Sequence, residues 1–415
     1  MLTIKDVVVI GGGAAGMAAG LFSAREGAET LILEKNEKLG RKMYITGKGR
    51  CNLTNDATLD EFLREVPRNP KFLYSALSVL SPQDTMELVA GHGCPVKVER
   101  GRRVFPVSDK ASDVTRAWQR ALEQAGCQVR LNARVTDIAP DEGGFTVYTD
   151  DLTVRARCLV IATGGLSYPA TGSTGDGYVF AHELSIPLQP RFPSLIALTT
   201  SDDWTGALQG LSLKNVRLNA VRGKKTLYSE LGEMLFTHDG ISGPLVLELS
   251  CHLPHPLSED LKVFIDLKPG LTTDQLQERL QREISAAGKK QIRTVFDTLL
   301  PQRMAAMLPA MTGCKPDVQA NQLTAAQRQD ICRLLKTFPV HISGTHPVAE
   351  AVVTRGGVDV KALDPATMST KTNDRLYFCG ELIDVDAHTG GYNLQIAFST
   401  GALAGRSAAA RAKAD

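Results

Sequence analysis

Residues 7–16 read Val-Val-Val-Ile-Gly-Gly-Gly-Ala-Ala-Gly, and this stretch decides the fold. Val7 to Ile10 form a short β-branched apolar run, the pattern of a buried strand. A helical stretch from Met17 to Glu26 follows the glycines, and a second apolar run, Thr30 to Leu33, ends on Glu34. Strand, glycine turn, helix, strand and acid make a βαβ unit that carries a dinucleotide fingerprint in its expected context. Gly11 allows the tight turn, Gly13 lets a pyrophosphate approach the backbone, and Gly16 lets the helix lie close on the strand. Ala14 and Ala15 belong to the same cofactor-binding turn, and the unpaired N–H groups at the start of the helix that follows suit phosphates. Glu34 offers a carboxylate to two ribose hydroxyls and would repel a 2′-phosphate.

At 415 residues the chain exceeds the size at which one core keeps growing, so two or three domains are expected. The net charge of +2 argues against a nucleic-acid partner held by bulk charge and leaves a local basic patch open. The eight cysteines are scattered with no C-x-x-C pair, which suggests reduced thiols in a cytoplasmic chain and no zinc or other metal site. The apolar run from Val7 to Ala24 imitates a signal peptide, but its glycines and Glu34 fit the βαβ unit instead, and no membrane segment is expected.

After Glu34 comes a basic loop with Lys35, Lys38, Arg41 and Lys42, leading to Thr46-Gly47-Lys48-Gly49-Arg50-Cys51-Asn52. This segment has no strand or helix period, and its glycines beside Arg50 and Asn52 suit a loop passing close to a ligand. Residues 58–93 read as helices, with a capping box at Thr58 and Glu61 and cap-proline pairs at Asn69-Pro70 and Ser81-Pro82. Short strands between Val129 and Arg155 suggest an antiparallel meander, and Leu159 to Ile161 return to the main sheet before Ala162-Thr163-Gly164. The Gly/Ser/Thr-rich run 167–177, followed by Pro187, Pro190 and Pro193, reads as a domain boundary. Residues 191–344 then look like a β module followed by a helical module. The last segment repeats the first: a strand to Cys379, then Gly380-Glu381, then Gly390-Gly391-Tyr392-Asn393-Leu394 opening a helix. An anionic group of a ligand belongs at that helix start.

Five motifs together resemble the HI0933-like flavoproteins: the Gly11–Glu34 unit, 46–52, 162–165, 237–244 and 390–395. That family includes members labelled aminoacetone oxidase and bile-acid reductase. The resemblance implies an α/β fold, with a Rossmann-like FAD-binding domain built from 1–190 and 345–415. The insert, 191–344, has a β-barrel-like part and a helical part. It also implies that residues 46–52 and 391–395 lie beside the flavin and Val135 beside the adenosine half.

The leading reading is an FAD-dependent oxidoreductase that uses NAD(P)H as a transient reductant. It would pass hydride through flavin N5 to a conjugated or cyclic carbonyl compound, as a C=C reductase. An oxidase of a small amine or alcohol is the alternative, and a flavin-loaded RNA-associated protein is a third. A small-molecule substrate is expected, without nucleic acid or membrane, and the oligomeric state is open. Spacing argues for no triad or metal cluster. Arg50, His238 and His388 are the candidates for an anion contact or a proton donor.

Purified protein is expected to be yellow and to release FAD, because FMN lacks the ribose that Glu34 would hold. Glu34→Ala should weaken FAD binding to the apoprotein by roughly 1.5–3 kcal/mol, the scale of a charged hydrogen bond. Release of FMN alone would overturn this.

Overall fold

A β-branched run without polar residues is stable only when both its faces are covered. Val7, Val8 and Val9 are fully buried in β1 (Thr3–Ile10). The computed structural model describes residues 3–315 and 317–414. The chain divides into two units, Met1–Ser194 with Pro347–Asp415, and Leu195–His346. These breaks fall four and two residues beyond the predicted 190 and 344.

In the first unit β1 is central. The main sheet adds β2 (Thr30–Leu33), β3 (Gln128–Arg130), β4 (Val135–Asp141), β5 (Gly144–Thr149) and β6 (Thr153–Ile161), in the order β3-β2-β1-β6-β5-β4. Two strands outside it, β7 (Leu188–Ser194) and β8 (Val353–Val358), pair antiparallel with each other. The short β9 (Leu376–Phe378) lies parallel beside the end of β6. Strands β3, β2, β1, β6 and β9 are all parallel neighbours, while β4 and β5 are antiparallel. The meander therefore begins at β4, because the 128–130 strand joins the parallel edge. β6 serves both parts: its first half pairs with β5 and its last three residues with β9.

From β1 the chain crosses to β2 on one side, and β6 lies on the other. That reversal leaves a crevice at the carboxyl ends of the strands. Two helices cover the sheet beside it, α1 (Ala14–Arg25) and α2 (Tyr392–Lys413). They meet backbone to backbone: a methyl group at Gly401 or Gly405 would overlap the carbonyl of Ala15 or Ala19. Trp118 stacks on Phe398 of α2 at 4.6 Å between ring centroids.

Of the prolines read as a boundary, Pro190 and Pro193 lie within β7 and Pro187 just precedes it, and the first segment of the first unit ends with that strand. Its pairing shifts register between Gln189 and Phe192, so Pro190 sits where no ladder N–H is required. The capping boxes at Thr58, Ser81, Thr272 and Thr324 are formed. Asn69 is left-handed and does not cap; its amide donates to the Asp384 carbonyl at 2.8 Å.

The second unit holds a seven-stranded antiparallel sheet that runs from 338–340 at one end to 342–345 at the other. Only His341 separates those two end strands, so the sheet must curl until its edges are neighbours, which makes it barrel-like. Helices at Thr273–Ala287, Ile292–Leu299, Gln302–Met311 and Ala325–Lys336 form the helical part.

Gly405→Val is expected to lower stability by about 1–3 kcal/mol or more, the cost of overpacking. Urea unfolding followed by tryptophan fluorescence should show an earlier midpoint. Gly91→Ala is the control: its Cβ meets nothing within 4 Å, and its midpoint should hold or rise. Equal midpoints for Gly405→Val and wild type would remove the packing argument.

Candidate functional site: a cleft at the strand ends

The loops that leave β1, β2, β6 and β9 line one cleft. Gly11 has φ +101° and its Cβ would come within 2.6 Å of the Ala162 carbonyl, so the ends of β1 and β6 close up only around glycine. A Cβ on Gly13 would meet nothing within 4 Å, so the space beside it is open. Glu34 is buried at the end of β2. Its Oε2 accepts from Gly12 N at 2.6 Å, and its Oε1 accepts from Asn36 N and Nδ2 at 2.8 and 2.6 Å. With about two lone-pair sites on each oxygen, Oε1 is filled and Oε2 keeps one for a hydroxyl donor.

Both helices present their N-termini here. Gly13 caps α1 and Gly391 caps α2 with no side-chain hydrogen bond at either. Gly13, Ala14 and Ala15 line the cleft from one side, and Asn393 and Leu394 from the other. The orphan N–H groups of two helices thus meet one space, an arrangement suited to anions and carbonyl oxygens. Thr163, also on the wall, has a buried hydroxyl with no partner. Open backbone at Gly13, two uncapped helices, a buried carboxylate and an orphan hydroxyl fit a dinucleotide.

Three cations of the 35–42 loop, Lys35, Arg41 and Lys42, line the cleft but are already bonded within the protein, while Lys38 lies off it over the Tyr44 ring. Lys35 bonds Asp176 at 2.7 Å, and Arg41 donates to Asn36 at 2.9 Å. Lys42 Nζ donates to Glu381 and to Ser167, both at 2.5 Å. Ser167 Oγ in turn donates to Glu381 at 2.7 Å, and Thr354 N donates to the same carboxylate at 2.9 Å. Val135, Ala162, Thr163 and Gly164 complete the predicted residues that the cleft brings together.

Other predicted residues lie off its walls. Gly16 packs under the Gly11 carbonyl, and Gly380 faces Ala15. Of the 46–52 segment only Thr46 reaches the cleft; Gly47, Gly49, Arg50, Cys51 and Asn52 do not line it. Arg50 pairs with Glu99 at 2.9 Å and Asp109 at 3.1 Å and lies 4.0 Å over Phe105. Cys51 is fully buried, and burial pushes its thiol up to about 12. Gly391 is required by packing: its Cβ would overlap the Thr54 carbonyl. Tyr392 lies edge-on to Phe62 at 5.1 Å. The side chain of Asn393 is spent on its own loop, taking Ala387 N at 2.9 Å and giving to Ala387 O at 2.8 Å.

His388 is held 2.9 Å from Glu65 and does not line the cleft. His238 belongs to the second unit, with its side chain 70% exposed beside Asp239. Among the described residues no cluster of His, Cys, Asp and Glu could hold a metal ion. No described helix is long and apolar enough to cross a membrane. All eight cysteines are free and buried.

The sequence reading missed Asn36, Thr171-Gly172-Ser173, Asp176 and Val352-Val353, which also line the cleft. The run 167–177 carried the signal, since Gly/Ser/Thr density marks close approach as readily as a boundary.

The family model of the HI0933-like protein Rossmann domain matches residues 5–407. A relative from Clostridium scindens named 3-dehydro-bile acid delta(4,6)-reductase is 31% identical over 98% of this chain and 100% of its own length. An Escherichia coli K12 relative named ribosomal RNA dihydrouridine synthase is 32% identical over 95% of this chain and 96% of its own. A quinol-fumarate reductase solved with menaquinol shares the fold at TM-score 0.53 and 17% identity, covering 100% of this chain and 72% of that one. With a Rossmann crevice, a buried acid at the end of β2 and a family match over nearly its whole length, this chain belongs to the HI0933-like family and is a flavin-dependent oxidoreductase.

Proposed function

We propose that this protein uses FAD and NAD(P)H to reduce a carbon–carbon double bond conjugated to a carbonyl group. The observation that carries the reading is the pair of full-length relatives at 31% and 32% identity. Both of their names denote reduction of such a bond. A 3-oxo-4,6-diene and the 5,6 bond of uracil present the same electrophile, an alkene polarised by a neighbouring carbonyl.

A bound flavin supplies a hydride at N5. The protein's own residues do the rest. Glu34 takes the adenosine ribose, and the start of α1 at Gly13 to Ala15 takes the pyrophosphate. The start of α2 at Asn393 and Leu394 offers N–H groups to the carbonyl edge of the ring. Asn393 fixes that start by closing the 387–393 loop with its amide. The half-buried Lys42–Ser167–Glu381 network holds a cation and a carboxylate at fixed places on the wall. The first unit is the FAD-binding domain on this reading, and the second is the insert. The sequence holds no second fingerprint, so NAD(P)H binds weakly, in ping-pong order with substrate.

Anaerobic stopped-flow tests the reading. NADH or NADPH should bleach the bound flavin, and a 3-oxo-4,6-dienoic steroid or a uracil-containing RNA should restore its colour. Reoxidation by oxygen alone, with reduction by a small amine instead of NAD(P)H, would establish the oxidase and overturn the reductase.

A further inference from the structure

The net charge of +2 is an average over an uneven chain. Residues 35–50 carry six cations against Glu37 alone, and residues 95–110 carry five against Glu99 and Asp109. These two segments hold +5 and +3, so the remaining residues sum to −6.

The fold brings the two segments together. Arg50 from the first pairs with Glu99 and Asp109 of the second, and Lys97 pairs with Asp109 at 2.7 Å. Arg102 pairs with Glu61. Those bonds neutralise Arg50, Lys97 and Arg102. Among the described ion pairs none takes Lys48, Arg100, Arg103 or Lys110, and all four are exposed. They are the surplus charge of this surface.

Its position matters more than its sign. Arg100-Gly101-Arg102-Arg103 forms the tip of a hairpin between the strands Val96–Glu99 and Arg103–Pro106. Gly101 and Arg102 are left-handed, at φ +75° and +56°, so the tip is a tight, fixed turn. Arg103 stands opposite Asn55 in the sheet. Asn55 Nδ2 donates both to Gly101 O at 3.0 Å and to Gly390 O at 3.1 Å. One amide therefore ties the arginine tip to the turn that opens α2, whose first residues line the cleft.

We propose that the Arg100–Arg103 hairpin tip, with Lys48, is a docking surface for the phosphate backbone of RNA, placing one uracil base at the cleft. Arginine forks suit phosphate oxygens, and a surface beside the cleft mouth holds the strand while one base enters. The proposal rests on the reductase reading for the fate of the base, but the docking is measured without turnover.

The test uses full-length, flavin-loaded protein and a fluorescein-labelled, uracil-containing RNA hairpin of about 30 nucleotides. Anisotropy titrations over a salt series give the slope of log K against log salt. Arg100→Ala/Arg103→Ala should reduce that slope by about 1.5–2 and weaken binding roughly tenfold near 0.1 M salt. Its flavin content and its reduction of a free steroid dienone should stay at wild-type values. The control, Arg282→Ala/Arg293→Ala on exposed helical positions of the second unit, should leave the slope unchanged. Equal losses in both variants, an unchanged slope in the hairpin variant, or binding to anionic phosphatidylserine vesicles but not to RNA would overturn the proposal. A reduced slope in protein that reduces no double bond would keep the docking surface and refute the reductase.

Discussion

The close approach of α1 and α2 is the constraint on which the site depends. Where Gly401 and Gly405 pass Ala15 and Ala19, the two helices are separated by backbone alone. Helices this near share one side of the sheet, and their uncapped N-termini open onto one space. A larger residue at either glycine would push α2 outward and separate those termini. The same contact joins the first thirty residues of the chain to the last twenty-four, so the cleft exists only when the two ends of the chain are packed together.

The polar groups of the cleft follow from that closure. A buried carboxylate is tolerated when its oxygens accept hydrogen bonds, and Glu34 takes three from Gly12 and Asn36. Lys42 and Glu381 lie more than three hundred residues apart, yet they bond across the cleft wall through Ser167. Away from the wall, Arg68 grips both oxygens of the fully buried Asp386, and Ser194 donates to the same carboxylate at 2.5 Å. That cluster fixes the loop before α2 against the end of β7, at the point where the chain leaves the first unit. Breaking one partner of so buried a pair would leave an uncompensated charge.

Charge shows how an average can mislead. A chain near neutrality gives no general attraction for a polyanion, yet its cations concentrate in two segments 45 residues apart in sequence. Pairing across the Arg50–Glu99 contact consumes some of them and leaves Arg100 and Arg103 exposed at the hairpin tip. Composition cannot reveal this, because it does not record which acids neutralise which bases.

The sequence by itself determined the elements whose causes are local. Apolar β-branched runs, glycines at forced turns, the capping box at Thr58 and the cap at Ser81 act within a few residues, so β1, α1, β2 and those two helix starts were legible. So was Glu34, because its place at the end of β2 follows from the βαβ unit alone. The tertiary structure decided what depends on partners far along the chain. It made Pro190 and Pro193 part of a strand by giving β7 its partner β8, and made the 167–177 run a cleft wall by pairing Ser167 with Lys42 and Glu381. It also drew Arg50 away from the cleft to Glu99 and Asp109, and set Gly391 against Thr54. A side chain's direction is fixed by its strongest available partner. For these residues that partner lies tens to hundreds of positions away, beyond any local pattern.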